Sequence, residues 1–85
     1  MTAQLWGKYR GVVLDGADPR GRGRVRVSVR SVMAEGESAW AMPCLPYTGS
    51  RLDERHIPPA GTPIWVEFEG GSPSQPIWVG RFWAE

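Results

Sequence analysis

Glycine and proline fall so densely along this chain that a helical protein is excluded almost at once. Eleven glycines and eight prolines punctuate 85 residues and leave no stretch that reads as an uninterrupted core helix. The only helical candidate, Val32–Ser38, is too short to stand alone. The rest reads as strands. Lys8–Asp15 is β-rich and ends at a turn cluster spanning Asp15–Gly23. Arg24–Val29 is the clearest period-two segment, with Val25, Val27 and Val29 on one face and Arg24, Arg26 and Ser28 on the other. Trp40–Leu45 is a third strand, which Pro43 restricts to an edge or a bend. Thr62–Glu69 alternates again, with Ile64, Val66 and Phe68 inward and Trp65, Glu67 and Glu69 outward. Gln75–Trp83 is the fifth, entered through the turn Gly70–Ser74.

Five short strands joined by turns predict an all-β fold, a small barrel or sandwich. Closing the sheet removes the unpaired edges that a chain this rich in strands must manage. The length sets one domain over residues 1–85, with the barrel from about 7 to 83. The connection from Pro46 to Gly61 is long, charged and proline-bearing. It is expected to be an ordered loop with a functional part to play.

A domain of this size buries only roughly 60–65% of its unfolded surface and leans on a disulfide, a metal or a partner. Cys44 is the only cysteine and His56 the only histidine, so neither an internal disulfide nor a Cys/His zinc site is expected. No cofactor or metal is implied, and a partner subunit is the remaining support. The formal charge is +1, yet residues 1–30 carry +5 and residues 31–85 carry −4, so the halves complement each other within the fold or across a subunit boundary. No apolar run reaches membrane-spanning length, and the start lacks the apolar region of a signal peptide. The expectation is a soluble chain made in the bacterial cytoplasm, without stable membrane insertion.

Catalysis is the weakest functional class. Ser50, Asp53 and His56 lie close in one loop, but no nucleophile turn surrounds Ser50, and such residues are ordinary in a polar loop. Cys44 follows apolar strand positions and reads as a buried small hydrophobe. Glu67 and Glu69 share one strand face rather than opposing each other across a cleft.

Single-stranded nucleic acid is the stronger rival, because OB-type barrels bind it with aromatic platforms in a basic groove. Arg20, Arg22, Arg24 and Arg26 surround the first hairpin. Arginines on alternate strand positions equally suit pairing with Glu67 and Glu69 on a neighbouring strand. The near-neutral total also weakens the nucleic-acid reading. An interface explains more of the sequence. Trp65 points away from its strand's apolar face, Trp83 lies near the end of the sequence, and Ile77 and Val79 alternate with Trp78 and Phe82. A strand apolar on both faces has something covering each side, and tryptophan and arginine are enriched where proteins bind one another. The interface set is Trp65, Trp78, Trp83, Arg24, Arg26, Glu67 and Glu69.

The segments GKYRGVVLDGADPRGRGRVRV, WAMPCLPYTG and PPAGTPIWVEFEGGSPSQPIWVGRFW together resemble the OB-fold domain of phage baseplate assembly protein V. The same domain occurs in the central spike of contractile phages and in the VgrG spikes of type VI secretion systems. The resemblance runs from about Gly7 to Trp83. It rests on the combination of the D-P-x-G-R-G-R turn, the W-x-x-P pair, the P-P-x-G-x-x-x-W-V-E-F-E-G-G segment and the P-I-W-x-G ending. It implies a five-stranded Greek-key OB barrel, without enzymatic activity or small-molecule substrate, forming a homotrimeric collar between the tail hub and the spike or tube proteins of a virion baseplate or contractile injection particle. In that family the domain usually runs on into a β-helical spike, sometimes tipped by a metal. This sequence stops at Glu85, so another chain is expected to supply the needle, with this one as collar, plug or adaptor. Ser50–His56 is also more charged and poorer in glycine than the family's loop.

Overall fold

The computed structural model describes residues 4–45 and 56–83, and in it five strands close into a barrel. They are β1 (Tyr9–Asp15), β2 (Val25–Ser28), β3 (Ala39–Pro43), β4 (Pro63–Phe68) and β5 (Pro76–Arg81). Their order around the barrel is β1-β2-β3-β5-β4, with β4 returning to pair with β1. All pairings are antiparallel except that of β3 with β5, which is parallel. Closure leaves no free edge among these strands.

The period-two pattern builds the interior as the residues dictate. Val25, Val27 and Val29 from the β2 segment meet Ile64, Val66 and Phe68 from β4, joined by Val13, Ala41 and Trp78. Tyr9 packs edge-on to Phe68 with ring centroids 5.6 Å apart. β-branched side chains dominate because they fit the pleat and lose little rotamer freedom in it.

Val32–Ser38, too short for a stable helix, forms turns: the N–H groups of Val32 and Met33 both donate to the Val29 carbonyl, and Glu37 donates to Ala34. Among the described residues the one helical element is a single 3-10 turn, Glu69–Gly71, at the β4–β5 connection. The third strand ends at Pro43. Cys44 follows it, its N–H donating to the Trp78 carbonyl at 3.0 Å, and lies in the outward phase of Trp40 and Met42, so it is exposed, not buried. Most of the long connection, including Ser50 and Asp53, falls outside the described residues. Its end is fixed by buried Pro58 and by Gly61, whose N–H donates to the Val13 carbonyl at 2.7 Å.

Candidate assembly surface

Period two carried forward from Trp78 puts Phe82 on the same side, inside the barrel. The structure turns it outward instead. Val66 pairs with Trp78 but Trp65 pairs with Gly80, so Val79 is an extra residue, a bulge in β5. Past the bulge, Gly80 and Phe82 share the outer face with Trp65. The Trp65 and Phe82 rings meet at 4.6 Å with a tilt of 37°.

From the neighbouring strand, Arg10 stands directly opposite Trp65. Its guanidinium lies 5.4 Å from the Trp65 centroid and 5.0 Å from that of Phe82. The cation thus caps a pair of aromatic rings, an attraction to their electron-rich faces. Trp83 follows at once and is 86% exposed. A groove of about 950 Å³ runs between the Ala60–Pro63 turn and Arg81–Trp83. Leu14, on the same end of β1, is exposed as well. The outer face of β1, β4 and β5 therefore carries an aromatic patch of Trp65, Phe82 and Trp83 with the Arg10 guanidinium set over it, bordered by Arg81 and by the Lys8–Glu67 pair.

A second, basic face lies across β2 and β3. Arg26 stands opposite Trp40, and the Trp40 ring has Arg24 at 5.3 Å and Arg26 at 5.6 Å. The loop leading into β2 is organised by one carboxylate. Asp18 accepts from the backbone N–H groups of Arg20, Arg22 and Arg24, at 2.9, 2.9 and 3.2 Å. It also accepts from Arg24 Nη2 at 2.8 Å and Nε at 3.1 Å. The side-chain bond from Arg24, reinforced by those backbone donors, holds the Asp18 carboxyl well below the usual carboxylate range. Gly23, at φ +76°, closes this loop with a backbone conformation that glycine adopts without strain.

The residues expected at an interface separate into different environments. Trp65 is half-buried on the aromatic face, and Trp83 stands free on it. Trp78 does not belong there: it is 5% exposed in the interior, and its indole Nε1 donates to the Gly23 carbonyl at 3.1 Å. The expected ladder of Arg24 and Arg26 with Glu67 and Glu69 does not form, because β1 lies between β2 and β4. Arg24 pairs with Asp18. Glu67 lies 3.7 Å from Lys8, and Glu69 sits exposed in the 3-10 turn. Arg10 and Phe82 were missed as site residues. Arg10 carries no local sequence signal, and the outward turn of Phe82 depends on the bulge.

No group of three or more His, Cys, Asp or Glu side chains among the described residues is placed to hold a metal ion. Comparison with protein-family models matches residues 9–83 to the type VI secretion system/phage-baseplate injector OB domain. A search of curated proteins finds no match to the chain.

Proposed function

This chain belongs to the family of type VI secretion system and phage-baseplate injector OB domains, and from that premise we propose that it is an oligomeric collar, plug or adaptor between hub and spike. A structural OB domain of a baseplate or injector belongs in a virion tail or injection particle, assembled with other tail proteins. The finer reading is a homotrimer, non-catalytic, whose partners are copies of itself together with hub and spike or tube chains.

The observation that carries this reading is the aromatic outer face: Trp65 and Phe82 in contact under Arg10, with Trp83 86% exposed beside them. Water is a poor neighbour for such a surface. Full burial of one large aromatic side chain removes about 150–250 Å² from water, worth about 4–6 kcal/mol before association costs. Trp83 has most of that to gain, Trp65 and Phe82 being half-buried already, and a boundary of such rings contributes several kcal/mol, comparable to the stability of a small domain. Folding and assembly are then linked. The test is the solution mass of the chain, alone and with Trp83→Ala. A defined oligomer that the substitution weakens supports the collar, and a chain monomeric at tens of micromolar contradicts it.

A further inference from the structure

The sequence discounts nucleic acid because the β2 arginines look committed to Glu67 and Glu69. Strand order removes that commitment. With β1 interposed, Arg20, Arg22 and Arg26 have no carboxylate within ion-pair distance among the described residues. Arg20 and Arg22 gather where the loop before β2 meets the β4–β5 turn, and Arg26 stands next to them in β2, opposite Trp40. Arg20, Arg22, Arg24, Trp40, Met42, Ser74, Gln75 and Pro76 line a depression of about 260 Å³ there. We propose that this groove binds single-stranded nucleic acid, an activity separate from the assembly contact on the opposite side of the barrel.

Position is the first argument. In five-stranded OB barrels the outer face of strands 2 and 3, flanked by the loops joining strands 1–2 and 4–5, is where oligonucleotides lie. Composition is the second. Arg20, Arg22 and Arg26 are exposed cations for the phosphates. Arg24 is half-buried, and Asp18 fixes its plane above Trp40. The guanidinium lies over the Trp40 ring at cation–π distance, and indole and guanidinium planes are the surfaces on which unpaired bases stack. Met42, 53% exposed, extends that floor as an apolar strip, while Ser74 and Gln75 add hydrogen-bonding groups at the rim. A carboxylate-bearing protein surface would use the arginines but leave the Trp40–Met42 floor without a role. Asp18 is taken up by Arg24 and the loop N–H groups, and Asp15, opposite Arg26 in the ladder, makes no ion pair with it, so this face is more basic than the formal charge of +1 suggests.

The test is fluorescence anisotropy of a labelled oligodeoxythymidylate of about twelve nucleotides, a length within the range one OB barrel covers, titrated with the full chain. Binding is expected in the micromolar range at low salt. Three neutralised phosphates at about −0.7 each give a slope of log K against log[salt] near −2. Arg22→Ala/Arg26→Ala should weaken binding at least roughly tenfold and flatten the slope by more than one unit, with the wild-type circular dichroism and oligomeric mass retained. Arg30→Ala, an exposed arginine outside the groove lining, should leave binding unchanged. Absence of binding at low salt overturns the proposal, as does binding indifferent to the double substitution. Competition by poly-L-glutamate as effective as by unlabelled oligonucleotide also overturns it, and assigns the groove to an acidic protein. None of these results bears on the aromatic face, so the collar reading stands or falls separately.

Discussion

Asp18 and Arg24, six positions apart, meet in a bidentate pair with bonds of 2.8 and 3.1 Å, and the carboxylate side chain is only 3% exposed. Because Asp18 also accepts three backbone N–H groups, one side chain determines the path of the loop and the plane of the arginine that lies over Trp40.

That relationship has a pH signature. The folded state holds Asp18 below its ordinary value of 3.8, chiefly through the Arg24 side-chain bond. The pair therefore stabilises the fold above that value, and the stabilisation is lost as pH falls from about 4 toward the lowered folded value. Thermal melts from pH 7 down to pH 3 should show the gap between wild type and Asp18→Asn shrink over the lower end of that range. A gap that holds constant to pH 3 would count against the assignment.

Trp78 fills the interior and supplies the donor for the Gly23 carbonyl. Trp78→Phe keeps an aromatic ring but leaves that carbonyl without its partner and opens a void. The expected loss is about 2–4 kcal/mol, read from urea unfolding at one fixed protein concentration so that assembly does not shift the midpoint.

Gly71 and Gly36 both have positive φ, at +77° and +86°. A Cβ on Gly71 would stand 2.9 Å from the Trp6 ring, whereas on Gly36 it meets open space. Gly36→Ala should therefore cost only the backbone strain, about 1 kcal/mol. Gly71→Ala should cost more, and should change tryptophan fluorescence by displacing Trp6. Equal costs would show that the Trp6 contact contributes nothing.

Arg10 caps Trp65 and Phe82 across the β1–β4 pairing. Arg10→Ala removes an interaction of about 0.5–1 kcal/mol at a partly exposed site. A small loss in unfolding free energy is expected, and a clearer loss in self-association if the proposed collar contact covers this face. Association should be followed by sedimentation.

The five strands were legible because alternation decides which side chains enter the core: Val25, Val27, Ile64, Val66 and Phe68 are all where period two puts them. The surface was less so, for two physical reasons. A bulge is one extra residue, and nothing in the composition of β5 marks Val79 as that residue, so Trp78 and Phe82 were expected on one face and lie on opposite ones. Strand adjacency is a property of the closed sheet. Arginines in β2 and glutamates in β4 pattern alike in sequence, but the chain between them returns to put β1 in the way. Cys44 was misplaced because its apolar neighbours were read without their phase: with Ala41 inward, Trp40, Met42 and Cys44 fall on the outward side. The outward placement of Trp65 and Trp83 was legible because both fall outside the inward phase.

The central claim is that the aromatic face of β1, β4 and β5 is covered by other copies of the chain. Multi-angle light scattering on the purified full chain, across a dilution series reaching tens of micromolar, tests it most directly. The account predicts a particle with the mass of three chains, falling toward one chain when Trp65 and Trp83 are both changed to Ala. A wild-type mass of one chain throughout the series would contradict it.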